Sequence, residues 1–248
     1  MQDPLYIAVA VCLTFFVAGL VKGVIGMGLP TVSIGLLTLV MPPAQAAAIL
    51  IVPSLFTNVW QGVSGPALVP LLRRLWPLLL GLCVGTWAGV GLLSPENARR
   101  TVIALGATLV IYGIIGLTPL HFAAPKWTER WLAPLLGAIT GFISAGTAVF
   151  VIPGVPFLHA LGLQRDELVQ ALGIFFTTAT VALALNLILV GAMQASATSL
   201  SFLALLPAIA GMYLGQIVRT RVSPTVFRYC FFIGMLLLGA HLLIRTLA

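Results

Sequence analysis

Lys22 is the only charged side chain between Pro4 and Leu72. Placing an ammonium inside an apolar run costs roughly 2.5–3.5 kcal/mol on membrane-insertion scales, so it is kept where it faces a cavity, a partner or the headgroups. It stands in a stretch that occurs twice. Residues 19–28 read G-L-V-K-G-V-I-G-M-G and residues 137–146 read G-A-I-T-G-F-I-S-A-G. Gly19, Gly23, Gly26 and Gly28 are answered by Gly137, Gly141, Ser144 and Gly146, and Lys22 by Thr140. Glycine lets a ligand approach main-chain N–H groups, and the start of a following helix carries partial positive charge. The chemistry on offer is anion binding. N–H groups after Gly28 and Gly146 would hold the anion, and Lys22 would draw it in.

Each element has a second reading. Small residues every four positions also let helices pack backbone to backbone, which suits Gly19 and Gly137 equally well. Lys22 lies near the end of its apolar run and could reach the headgroups instead. Two polar stripes carry the same ambiguity. Ser54, Asn58 and Gln61 share one helical face, and Gln170, Gly173, Thr177 and Thr180 share another, with Thr178 beside them and Asn186 further along. They either bond helix to helix or line a polar path, with Asn58, Thr177 and Thr178 best placed to meet an oxyanion. The candidate binding residues are therefore Lys22, Gly26, Gly28, Asn58, Ser144, Gly146, Thr177 and Thr178.

Other chemistries lack their residues. There is no G-x-x-x-x-G-K-[ST] for ATP, no H-E-x-x-H, no G-x-S-x-G and no pair of acids within an apolar run. The pattern argues against an enzyme and calls for no cofactor or metal. Asp166 and Glu167 suit the dipole at a helix start. His121, His159 and His241 are isolated, and Cys12, Cys83 and Cys230 read as small buried hydrophobes.

The elements that must hold these residues are membrane helices. The 248-residue chain is 60% hydrophobic and 7% charged, against about 25% charged in soluble domains, and its mean hydropathy is +1.16. Its partners are thus the lipid bilayer and a small anion. The net charge of +7 comes from basic residues scattered singly or in pairs, which fits cytoplasmic loops better than nucleic acid. A homo-oligomer is compatible with the chain. Ten segments are expected, at about 5–25, 28–41, 44–62, 75–93, 101–118, 131–145, 147–161, 166–191, 198–218 and 224–245. Segments two and seven are too short for a straight span, which needs about 20 residues, and their prolines break helices. Trp60, Trp76, Trp127 and Trp131 fall near segment ends as interfacial anchors.

Five segments per half is an odd number, so the second half would enter the bilayer from the opposite side. The fold expected is all-α and polytopic: two inverted repeats, residues 1–125 and 126–248, forming one transmembrane domain with its site where the two breaks meet.

The stretches A-G-L-V-K-G-V-I-G-M-G-L-P at 18–30 and L-G-A-I-T-G-F-I-S-A-G-T-A-V-F-V-I-P at 136–153 resemble the sulfite exporter TauE/SafE family of bacterial membrane permeases. The duplicated arrangement and the length fit too, so the resemblance covers essentially the whole chain. It implies export of a small sulfur-containing anion, sulfite or an organosulfonate, across the bacterial inner membrane. It puts the family's motif positions at Gly23, Gly26, Gly28, Gly141, Ser144 and Gly146. A permease for a metal ion or metabolite, an embedded enzyme and an accessory subunit are the rival readings.

If all ten segments cross, one face receives Arg73, Arg74, Lys126, Arg130, Arg165, Arg219, Arg221 and Arg228, and the other Arg99, Arg100 and Arg245. The richer face is cytoplasmic by the positive-inside bias. Topology reporters fused at residues 2 and 248 should then both register the outer side. Signals from opposite sides would end the odd-segment scheme.

Overall fold

The computed structural model describes residues 4–118, 126–193 and 195–247. His121 lies outside them, as does the side chain of Trp127. Among the described residues ten α-helices follow one another: α1 (Pro4–Ile25), α2 (Leu29–Leu37), α3 (Pro43–Val63), α4 (Leu68–Ala88), α5 (Ala98–Leu117), α6 (Lys126–Thr147), α7 (Gly154–Ala160), α8 (Arg165–Leu189), α9 (Ala195–Arg219) and α10 (Pro224–Leu247). Among the described residues seven helices are long and apolar enough to span a bilayer. The protein is an all-helical, multi-pass membrane protein, and α2 and α7 are short, as the prolines foretold.

Several boundaries differ from expectation for one reason. Helices α4 and α6 begin five to seven residues early because their opening two turns take in charged residues that resemble loop. Arg74 of α4 makes a two-pronged pair with Glu129 of α6, Nε to Oε1 at 2.7 Å and Nη2 to Oε2 at 2.9 Å. That pairing lets both helices start among their charges. At the start of α8, the Gln164 N–H donates to Glu167 Oε2 at 3.1 Å, closing a capping box. Cys83 and Cys230 are exposed on the outside of the bundle rather than buried.

Helices of the two halves interleave. The closest pairs are α1 with α9, α4 with α6, α5 with α10 and α3 with α8. Water drives none of this in lipid, so association depends on close packing, and glycine supplies it. A methyl group at Gly19 would strike the carbonyl oxygen of Ala208, and one at Gly23 that of Met212. From the other side, Gly211 lies against Phe16 O and Gly215 against Leu20 O. The α4–α6 seam repeats the scheme: Gly137 meets Leu78 O, Gly141 meets Leu82 O, Gly81 meets Pro134 O, and Gly85 meets Ala138 O. Packing is therefore what Gly19, Gly23, Gly137 and Gly141 do. The seam partners form a second duplicated motif, P-x-x-x-G-x-x-x-G, at Pro77, Gly81, Gly85 and at Pro207, Gly211, Gly215.

Proline in α3 is handled by a neighbouring helix. Pro53 has no N–H, so the carbonyl of Ile49 loses its helical donor. Ser201 of α9 replaces it, donating to Ile49 O at 2.6 Å and accepting from the Val52 N–H at 3.1 Å.

The seams set a test. Gly23→Ala and Gly141→Ala should each abolish folding or lower the unfolding temperature sharply, because backbone cannot move aside as a side chain can. Gly234→Ala, where a methyl meets nothing within 4 Å, should be neutral or stabilise by about 0.5–1 kcal/mol. Thermal unfolding in detergent reads all three.

Candidate functional site

Helix α1 ends at a turn made by Gly26 and Gly28, with φ of 80° and 103°. Only glycine adopts this region at no cost. One turn earlier, Lys22 points inward and is 3% exposed. Its Nζ donates to Thr57 Oγ1 at 3.0 Å and to Asn58 Oδ1, both on α3. Thr57 can accept because its own proton goes to Pro53 O at 2.8 Å. Asn58 Nδ2 in turn donates to Thr180 Oγ1 of α8 at 3.5 Å. Gln61 Nε2 holds the turn, donating to Gly26 O at 3.1 Å and to Val169 O at 2.8 Å. Lys22 thus does not snorkel. It belongs to a buried polar cluster joining α1, α3 and α8.

An ammonium has three donors, and two are engaged. Among the described residues the single ion pair is Arg74–Glu129, so no carboxylate there neutralises Lys22. The remaining polar groups of the cluster are uncharged.

The second break is built differently. Helix α6 runs through Ser144 and Gly146 to Thr147, and the left-handed residue is Ala148, at φ 55°. The N–H of Ala148 donates to Ser144 O at 2.7 Å, and that of Val149 to Thr147 Oγ1 at 3.2 Å. Ala148, Val149, Phe150 and Val151 are all buried. The main-chain cradle expected after Gly146 is therefore closed in this conformation, its first donors committed within the turn. A serine does not adopt positive φ as Gly26 does, so the helix continues about one turn further. Ser144 Oγ donates to Gly141 O at 2.8 Å and lies 3.5 Å from Thr86 Oγ1 of α4. Thr140, in the place of Lys22, donates to Leu136 O at 2.7 Å.

The other sequence candidates go elsewhere. Thr177 and Thr178 do not join the Lys22 cluster. Their hydroxyls donate to Gly173 O at 2.7 Å and Ile174 O at 3.1 Å, and they line a cavity of about 510 Å³ between α4 and α8. Gln170 is structural: Nε2 donates to Gly62 O and Gly65 O, each at 2.8 Å, and Oε1 accepts from Ala67 N at 2.9 Å. It closes the end of α3 and the turn into α4. Thr57 and Thr86 were not singled out in the sequence, although Thr57 directly precedes Asn58 and sits three residues after Ser54.

A bundle of apolar helices around a buried lysine, with two broken segments in corresponding places, has the build of a membrane permease. The family model of the sulfite exporter TauE/SafE matches residues 11–242, nearly the whole chain, and the protein belongs to that family. Comparison with curated proteins and with solved structures found no match.

Replacing Gln170 with Leu takes its partner from one buried carbonyl, Gly62 O, and from two half-buried backbone groups, Gly65 O and Ala67 N–H; a buried group left unpaired costs about 1–3 kcal/mol. Gln170→Leu should lower the unfolding temperature by several degrees, read in detergent melts; an unchanged melting curve would remove Gln170 from the structural role.

Proposed function

We propose that the protein exports a small sulfur-containing anion, sulfite or an organosulfonate, across a bacterial inner membrane by alternating access. One observation carries this reading: Lys22 is buried beside Thr57 and Asn58 with no carboxylate partner among the described residues. A bare cation in a low-dielectric interior attracts an anion strongly. The anion takes the third donor of Lys22 and is flanked by the amide of Asn58 and the turn at Gly26 and Gly28. Uncharged neighbours bind it without trapping it. Family membership supports transport over catalysis, and supplies the sulfur-anion class.

The two halves, 1–125 and 126–248, act as inverted repeats in this scheme. Support comes from the reciprocal packing, in which the first helix of each half lies on the fourth of the other. That same packing changes what moves. Rocking of one half against the other would tear both glycine seams. The moving bodies are instead mixed: α1, α2 and α3 with α9, and α6, α7 and α8 with α4. They meet where α3 crosses α8, at Asn58 and Thr180.

Proteoliposomes containing the purified protein should pass at least one of sulfite, sulfate, thiosulfate and sulfoacetate faster than empty vesicles; leakage equal to empty vesicles for all four defeats the proposal. Lys22→Met should cut that flux by at least about tenfold, equivalent to about 1.4 kcal/mol, with the melting temperature unchanged or raised, since a buried charge is removed. Full flux in Lys22→Met would return the lysine to a structural role.

A further inference from the structure

The cavity between α4 and α8 is distinct from the Lys22 cluster and borders the α4–α6 seam at Thr86. At about 510 Å³ it has the size of a small-molecule site. Trp87, Leu185 and Leu189 on its rim are exposed on the outside of the bundle. In a bilayer these residues face acyl chains, so the cavity opens sideways into lipid and most of its wall is aliphatic.

The polar atoms inside share one property. Thr86, Thr177 and Thr178 each donate their single hydroxyl proton to a carbonyl of their own helix, at Leu82, Gly173 and Ile174. Each therefore offers only lone pairs to an occupant. Asn186 gives Nδ2 to Thr86 O at 3.4 Å, and its Oδ1 is buried with no hydrogen-bond partner. The side chain is 2% exposed and lines the cavity. A buried unpaired acceptor is costly and uncommon. Turning the amide over would set Oδ1 against Thr86 O, so the orientation is fixed. The donors left over are the second Nδ2 proton of Asn186 and, at the rim, the Trp87 indole N–H and the weakly donating Cys83 thiol.

A wall of acceptors repels an anion. It also holds no carboxylate to neutralise an ammonium. The geometry points to a lateral binding site for an uncharged, hydroxyl-headed amphiphile of the long-chain alcohol class, entering from the bilayer. The hydroxyl donates to Asn186 Oδ1 or the threonine oxygens after a small shift of the amide, and the chain lies along Val181, Leu185 and Leu189. This site is independent of anion export and does not depend on that reading.

Trp87 provides the readout. With the full chain in nanodiscs, its emission is the difference between native protein and Trp87→Phe. Three quenchers of equal chain length are compared: 11-bromo-1-undecanol, 1-bromoundecane and 11-bromoundecanoate. The alcohol should half-saturate quenching at a mole fraction at least about fivefold lower than either rival, the worth of about one hydrogen bond. Asn186→Leu should erase that preference, and Thr178→Val should weaken it, covering the case in which Asn186→Leu does not fold. Equal quenching by all three, which is simple partition, would overturn the proposal. So would a preference for the carboxylate, or an alcohol preference that survives both substitutions.

Discussion

Contact between glycine Cα atoms and the carbonyl oxygens of a neighbouring helix holds this bundle together. In lipid, an aliphatic side chain gains nothing by leaving its surroundings for a protein interior. What remains is the density of contact, and no contact is denser than backbone on backbone. Eight glycines make the two seams, four in α1–α9 and four in α4–α6, and each lies under a carbonyl of the partner helix. Once α1 and α4 are pinned to helices of the other half, α3 and α8 are forced to cross in the middle. The polar residues on those two helices then have no choice but to meet. The Lys22 cluster is a consequence of the seams.

Much of this was legible in the sequence, and what was missed has physical causes. The count of ten helices and the shortness of α2 and α7 follow from apolar run lengths and prolines. Lys22 and Asn58 stood together among the candidate binding residues, and Nζ of Lys22 does donate to Oδ1 of Asn58; that Lys22 turns inward to α3 rather than toward the headgroups was not decided by the sequence. Helices α4 and α6 start earlier than the apolar runs because Arg73, Arg74 and residues 126–130 lie inside the helices, where Arg74 and Glu129 pair. The motif shared by Pro77–Gly81–Gly85 and Pro207–Gly211–Gly215 is faint in the sequence, since the positions between its proline and glycines have nothing in common. The second break begins after Thr147 rather than at Gly146, because Ser144 stays helical where Gly26 takes a positive φ.

The duplicated frame holds chemistry that is not duplicated. Where the first half has Lys22 and a two-glycine turn, the second has Thr140 and an uninterrupted helix. Lys22 reaches across to α3, while Thr140 bonds only to its own helix at Leu136. Symmetry of packing is cheap to keep, because it depends on small residues alone. Symmetry of charge would place two ammonium groups in one dry core, where they would repel strongly. A single lysine near the crossing avoids that repulsion, and its hydrogen bonds still reach the face where the two halves meet.

Helix exchange also bears on how such a bundle moves. A seam of backbone contacts has no side chains to rearrange, so it transmits motion rather than absorbing it. The α3–α8 crossing is of the other kind. Toward its end Gln61 and Gln170 make short hydrogen bonds to backbone carbonyls, at 2.8 Å to Val169, Gly62 and Gly65. At its centre, by contrast, Asn58 and Thr180 are joined by one long bond of 3.5 Å. In the alternating-access scheme proposed above, a crossing tight at one end and loose at its centre would pivot at the tight end. Displacement would be smallest at Gln170 and would grow toward Ser54, whose buried hydroxyl has no partner among the described residues. The loose stretch includes the residues that hold Lys22, so such a pivot would alter the lysine's surroundings without disturbing either seam.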